Sequence, residues 1–593
     1  MWEILERGGL GRLGSWTRDG VVLRTPAVLF LHREDRPSPS FAEALFVEER
    51  GPDARVQVRL SGSTFSAVPA SHPYDLPPTR GLPLSVTDLE VHADRPAGDL
   101  ALVTSEASLE EASASPMSFL ANGIEYLRHP REFAFTMARA RQVLGPARIL
   151  GITGIAAPSN LSILVYAGID LVDSSRMVLD SARRLFHTAD GVAAEASVDR
   201  ASCGCAACSG DGGLLAHNEL ALHRELLLVR NHLVHGRLRE LVERRLANDP
   251  WNTSVLRHLD LRHGDLLEQY TPVTGGEMLA YSHESLTRPE VVRFRSRVRE
   301  RYARPPSARV LLLLPCSARK PYSASQSHRR FRDAILAAGN PSLVHEVIVT
   351  SPLGLVPREL ERFHPARSYD IAVTGDWSRD EAAMVTEDLR AYASSQGYDA
   401  VVAHLGSELP AVRVALPEVL VPSTERPASD EALRALTKTL ADAVASFARV
   451  PQGRRFAEEI SNIAAFQFGP PGRQLVDGTA FRGRFPNVRV FHHGVQRAVH
   501  TARGMFSLSL AGGEVLSHAN RYCVEIEDFF PEGNIFAVGV VAASEDIRIG
   551  DEVAVRHGAE VRAVGSARMT WREMVDSKRG EAVRVRHAAA GKP

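Results

Sequence analysis

Three of the five cysteines in this 593-residue chain fall inside six positions, in the string CGCAAC from Cys203 to Cys208. Thiols crowded in this way are a liability for oxidation unless something holds them. The C-x-C-x-x-C spacing lets the short loops fold back so that Cys203, Cys205 and Cys208 face one tetrahedral ion, and His217, nine residues further on, can close the shell from a helix start. Four protein ligands leave no position for a catalytic water, so the expected site is structural and its expected ion is Zn2+. The alternative is three buried or free thiols. His223, His232 and His235 follow on the same helical stretch, where a solvated helix face is their expected place.

A sparse, odd cysteine count suits a metal site in a reducing compartment better than a disulfide framework, which points to a cytoplasmic address. The longest apolar run, LLLLP from Leu311, is far shorter than the roughly 20 residues that cross a bilayer, and the N-terminal MWEILERGGLGRLG has no apolar signal core. No membrane partner is expected. A chain of this length exceeds a single core, and its 44% hydrophobic and 24% charged residues are those of ordinary globular domains. The net charge of −1 excludes a uniformly basic coat, so contact with nucleic acid must come from local patches.

Four domains are expected, of overall class α/β. Residues 1–285 alternate strand-like segments such as ARILGITG with amphipathic helices such as HPREFAFTMARARQVL, as in a β/α-barrel, and LLAHNEL to RRL (214–246) reads as a long helix or helix pair after the cysteines. A charged, proline-closed joint at 282–308 separates it from a parallel-sheet α/β core domain at 286–450. That domain opens with the strand RVLLLLP and continues in strand–helix alternation through SHRRFRDAILAAG, HEVIVTS, RDEAAMVTEDLRAYASSQG and DAVVAHLG. Residues 451–519 form a small, less regular α+β connecting domain. The short β-rich segments of 520–593 are expected to close a small β-barrel.

The strand RVLLLLP delivers PCSARKPYSASQSHRRF to its C-terminal end, where open parallel sheets bind ligands. Cys316, Ser317, Lys320, Tyr322, Ser325, Ser327 and His328 crowd thirteen positions there. Cys316 beside Arg319, Lys320 and His328 is expected to have a lowered pKa and to act as a nucleophile, Lys320 or His328 supplying protons. The same hydroxyls, lysine and helix start could equally cradle an anion, or be a strand end and an N-capped helix.

Three resemblances extend these readings. The C-x-C-x-x-C cluster with His217-Asn218, preceded by ILGITGIAAPSNLSILVYAGIDLVDSSR, resembles the tRNA-guanine transglycosylase family, and the match places Asp173 at that family's nucleophile position. That family's D-S-G-G-F/Y-Q segment and its G-G-L-x-x-G-E loop are absent, so Asp173 is expected to be vestigial. The string P-C-S-x-x-K-P-Y-S-x-S-x-S-H, with SPLGLVPRELE and SYDIAVTGDWSRDE, resembles the archaeosine synthase family, paralogues of the transglycosylases that act on tRNA. What this resemblance implies is addition of an amine, from lysine or as a glutamine-derived nitrogen, to the nitrile of 7-cyano-7-deazaguanine in the tRNA D-loop. Asp376 or Glu381 would bind the donor's amino group, a partner enzyme would complete the amidine, and the zinc-braced barrel would form a homodimer. The last seventy residues resemble a PUA domain, a small RNA-binding barrel.

From Arg556 onward nine Lys or Arg stand against four Asp or Glu, an excess suited to phosphates, with Arg568, Lys578, Arg579, Arg584 and Arg586 expected nearest the RNA. Base exchange as in a transglycosylase, or a non-catalytic tRNA-binding subunit, are the competing readings.

Overall fold

The computed structural model describes residues 2–18, 21–32, 36–47, 56–60, 89–93, 95–97, 100–103, 106–113, 115–120, 123–372 and 376–590. Part of the SYDIAVTGDWSRDE segment, 373–375, lies outside them. The chain divides into two compact units, the first built mainly from Met1–Thr271 and the second mainly from Pro272–Ile535 with most of the C-terminal strands.

In the first unit a nine-stranded sheet runs in the order 95–97, 89–93, 56–60, 44–47, 27–31, 171–173, 149–152, 117–120, 100–103. The seven strands from 56–60 to 100–103 are parallel, and the other two are antiparallel. Strands 95–97 and 100–103 stand at opposite ends of this order yet are only two residues apart in sequence, a gap the chain can span by at most about 11 Å. The sheet must therefore curl so that its two ends come near each other.

Both faces are apolar, as a helix-wrapped parallel sheet requires. Val28, Phe30, Leu150, Ile152 and Val172 pack outward against Phe133, Met137, Leu164 and Leu226, while Leu29, Leu31, Phe46, Phe119 and Leu171 fill the second core. The expected helix pair after the cysteines is present as Leu214–Val234 and Leu238–Arg245. Gly236 at φ +66° makes the break between them, a conformation that suits glycine.

In the second unit Val310–Pro315 lies between the parallel strands Val344–Thr350 and Ala400–Ala403, and Gly354–Pro357 adds an antiparallel edge. Helices Gln326–Ala337 and Asp430–Val444 cover one face through Phe331, Ile335, Leu436 and Leu440. The stretch 282–308, read from its charge as a joint, contains the helix Pro289–Glu300, whose Val291, Phe294 and Val298 are buried. Charges on its other face masked a stripe at helical spacing. Gln452–Phe468 is likewise a regular helix. A four-stranded antiparallel sheet follows (480–484, 487–492, 495–500, 506–508), and then a six-stranded sheet carrying the C-terminal module. Among the described residues no helix is long and apolar enough to cross a membrane.

Candidate functional site

Cys203, Cys205, Cys208 and His217 converge, their ligand atoms all within 4.8 Å of one another. His217 Nδ1 lies 3.5, 3.4 and 3.4 Å from the three sulfurs in order. A tetrahedral ion with metal–sulfur bonds of about 2.3 Å and a metal–nitrogen bond of about 2.0 Å would have S···N edges of ~3.5 Å, so the group is already set at metal-binding dimensions. Gly204 turns the loop at φ +62°, and the Cys208 amide donates to the Cys205 sulfur at 3.3 Å. Burial pushes the Cys205 thiol up, and hydrogen bonding within the cluster, including that from the Cys208 amide, draws it back toward the thiolate that a metal takes.

The His217-Asn218 pair divides the labour. His217 Nε2 donates to the His187 carbonyl at 2.8 Å, which leaves Nδ1 unprotonated for the ion, and Phe186 stacks on the ring at 3.7 Å. Asn218 accepts from the His187 amide at 2.9 Å and donates to the Leu185 carbonyl at 2.9 Å, so it fixes the strand whose carbonyl orients the ligand. The group can hold a metal ion.

Cys316 opens into a cavity of about 390 Å³ in the second unit, whose wall also includes Ser351, Asp376, Glu381, Ser407 and Glu408. The cavity lies at the C-terminal ends of adjacent parallel strands, because Cys316 follows Val310–Pro315 and Glu408 follows Ala400–Ala403. Glu381 is held on both oxygens: it accepts from Ser351 Oγ at 2.6 Å and from the Ser378 amide at 2.8 Å, closing a capping box on helix Arg379–Gln396. One Glu408 oxygen accepts from the Gly406 amide at 3.1 Å. Glu408 escaped the sequence reading: it lies in the turn after strand Ala400–Ala403, at the start of helix Leu409–Ala415.

The structure separates the residues of the dense motif. Ser325 caps helix Gln326–Ala337, accepting from the His328 amide, and Ser327 sits 3.2 Å from its hydroxyl. Tyr322 is fully buried, with its hydroxyl 2.7 Å from that of Tyr369, which in turn meets Thr350 Oγ1 at 2.6 Å. His328 is not a proton donor to the cavity, because both ring nitrogens are taken: Nε2 donates to the Pro315 carbonyl at 3.0 Å and Nδ1 accepts from Arg358 at 2.7 Å. Burial, and then the Arg358 charge, hold it down to about 3, so the ring is neutral. Arg358 is itself anchored by Glu346 and Glu361, and Glu361 accepts the Ser323 amide.

These residues shape the loop that presents Cys316. Ser317 is half-buried and donates to the Arg319 carbonyl at 2.9 Å. Lys320 Nζ stands 4.1 Å over the Tyr369 ring, its pKa lowered by burial and partly restored by Cys316 and Asp370. The expectation of an acidified thiol is reversed. Burial and then Glu408 raise the Cys316 pKa, against a hydrogen bond from Thr350 and the charge of Lys320.

Asp173 ends the strand Leu171–Asp173 fully buried. Its Oδ1 accepts from the amides of Gly154 (2.9 Å) and Ser175 (3.2 Å), while Oδ2 has no hydrogen-bond partner among the described residues. Burial pushes the carboxyl up to about 6 against those hydrogen bonds. The unfolded carboxyl titrates near ~3.9, so the folded form holds its proton over a pH range where the unfolded form has lost it. Stability contributed by the protonated carboxyl is therefore complete below pH ~4 and is lost as pH rises through about 6, by roughly 2–3 kcal/mol. Asp173→Asn should flatten this slope and raise the melting temperature at pH 8, checked by thermal denaturation from pH 5 to 8.

The five basic residues expected near RNA fall into two groups. Arg568, Lys578 and Arg579 are exposed. Arg584 is paired with Glu581 at 2.9 Å, and Arg586 with Glu552 at 2.6 Å.

Family models match a domain of unknown function (DUF5591) over residues 291–440, the segment that carries Cys316 and its cavity, and a PUA domain over residues 526–589. The chain is 39% identical over 487 residues to archaeosine synthase subunit alpha of Methanosarcina acetivorans, spanning 77% of each protein. It is 38% identical over 481 residues to archaeosine synthase of Haloferax volcanii, spanning 78% of this chain and 80% of that one. A lower identity, 25% over 490 residues (77% of this chain and 68% of the other), relates it to tRNA-guanine(15) transglycosylase of Methanothermobacter thermautotrophicus. A curled parallel-sheet unit with a Cys3His group, an α/β unit with a cysteine cavity and a PUA domain define the class. The chain belongs to the archaeosine synthase family.

Proposed function

We propose that this chain builds archaeosine in tRNA by adding an amine to the nitrile of 7-cyano-7-deazaguanine, with lysine the favoured donor over a glutamine nitrogen. The observation that carries this reading is that Cys316 shares one cavity with Asp376, Glu381 and Glu408. Three carboxylates around a thiol favour a cationic ligand, and a lysine ammonium supplies that charge where a side-chain amide does not.

The sulfur of Cys316 adds to the nitrile carbon, and the nitrogen gains a proton, giving a thioimidate. The donor ammonium gives a proton to a carboxylate, Glu408 being placed for this, and the free amine attacks the same carbon. The carbon–sulfur bond breaks, the thiol is regenerated and an amidine remains. A bound ammonium also offsets the Glu408 charge that holds the thiol protonated, so the donor itself promotes thiolate formation. Lys320 is the remaining proton source on the motif. Asp173 takes no part, and a partner enzyme completes the lysine adduct. Cys203, Cys205, Cys208 and His217 hold Zn2+ as a brace.

The test is incubation of the purified chain with cyano-base tRNA and labelled lysine. Label on tRNA is expected without any second protein. Incorporation of free base instead would indicate base exchange, and no transfer from lysine or glutamine would indicate a tRNA-binding subunit. Phosphate contact by the C-terminal module predicts that Arg568, Lys578 and Arg579 changed together to Ala weaken tRNA binding about tenfold or more and flatten its salt dependence by about 3 in log–log slope. Arg584→Ala, which breaks an internal ion pair, should change it little. Filter binding at several salt concentrations measures both.

A further inference from the structure

The sheet 480–508 carries a one-sided charge pattern. Between Gly478 and Gly513 stand Arg482, Arg484, Arg489, Arg497 and Arg503 without one Asp or Glu, in a chain whose net charge is −1. The antiparallel register sets Arg482 directly opposite Arg489 and Arg484 opposite Asn487. Arg482 and Arg484, two apart on one strand, share a face at about 7 Å spacing, and Arg489 joins them on it. All three are exposed and have no ion-pair partner among the described residues.

Like charges directly opposed across two strands destabilise the pair. In the six-stranded sheet, by contrast, strand arginines are matched: Arg556 with Glu525, Arg586 with Glu552. The buried face of the same strands is ordinary core, Val488, Val490 and Ala498, so the arginine face is not forced by packing. An aromatic ring is interleaved, with the Arg482 guanidinium 4.8 Å over Phe491.

We propose that this arginine face is a second RNA-contacting surface, separate from the C-terminal module, which binds the phosphate backbone of the tRNA substrate. The proposal rests on the tRNA reading above and adds a site to it. A repulsive pair that costs the free protein stability is relieved when phosphates lie between its members, and exposed guanidinium groups on a sheet face suit a backbone rather than base edges.

The test is the double variant Arg482→Ala/Arg489→Ala in the full-length protein, with tRNA binding measured from 50 to 400 mM salt and thermal unfolding alongside. The expected results are a dissociation constant raised on the order of tenfold and a log–log salt slope reduced by about 2, with a melting temperature unchanged or higher. A folded variant with wild-type affinity and slope overturns the surface. If the wild-type protein does not bind tRNA at all, the functional reading fails instead. Weakened binding of polyglutamate with tRNA affinity kept would assign the face to an acidic protein and likewise overturn the proposal.

Discussion

Cys316→Ala is expected to lower lysine transfer to cyano-base tRNA by ~10³-fold or more while leaving tRNA binding and the melting temperature close to wild type. The size of the effect follows from the role: removal of a covalent nucleophile abolishes a step rather than weakening a contact. The fold should tolerate the change because Cys316 is only partly buried and the shape of the loop depends on Ser325, His328 and Arg358. Cys316→Ser should be nearly as inactive, since a hydroxyl is a far weaker nucleophile at neutral pH. Near-normal turnover of either variant would exclude the thioimidate route and leave direct attack by the amine.

An independent measurement needs no tRNA. Burial and Glu408 raise the thiol pKa, so alkylation of Cys316 by iodoacetamide should be slow at pH 7 and titrate above the ~8.5 of an unperturbed thiol. Glu408→Gln should move that titration downward.

The second large effect concerns the metal group. His217→Ala should leave the purified protein without bound metal, against about one ion per wild-type chain, and should lower the first unfolding transition by ~10 °C or more. Structural zinc contributes many kcal/mol of apparent folding free energy, and a domain of this size loses roughly 2–4 °C per kcal/mol. The change also removes the ring that stacks on Phe186 and bonds the His187 carbonyl, so the strand Leu185–Thr188 loses one anchor. Elemental analysis and calorimetry check it. Because Cys316 belongs to the other compact unit, its alkylation rate should not change; a parallel loss would mean that the variant fails globally. Wild-type protein free of metal with an unaltered melting temperature would overturn the brace.

Much of this was legible before any coordinates. The four metal ligands declare themselves by spacing because short loops leave few ways to arrange three thiols. The strand Val310–Pro315 and its neighbours were readable as continuous apolar runs, since a strand buried on both faces has no polar alternation. Other features were hidden for physical reasons. The second half of helix Gln452–Phe468 is buried all round, from Asn462 to Phe468, so it offers no stripe to detect. Within PCSARKPYSASQSH, sequence density marked a loop that borders the cavity but could not tell the residue that faces the cavity from those that hold the loop. That distinction depends on Arg358, Glu346 and Glu361, whose pairing with the loop is invisible in one dimension. Glu408 lies more than ninety residues from Cys316, and only strand adjacency unites them.

The doubly bonded His328 ring has a consequence for kinetics. A histidine beside a reacting thiol would ordinarily be the first suspect for any inflection in rate near pH 6 to 7. Here the ring stays neutral down to about pH 3, so the wall behind Cys316 keeps one geometry throughout the range in which an enzyme of this kind can be assayed. On the proposed route, inflections in the rate profile are therefore expected from the thiol, the carboxylates, Lys320 and the incoming amine rather than from His328.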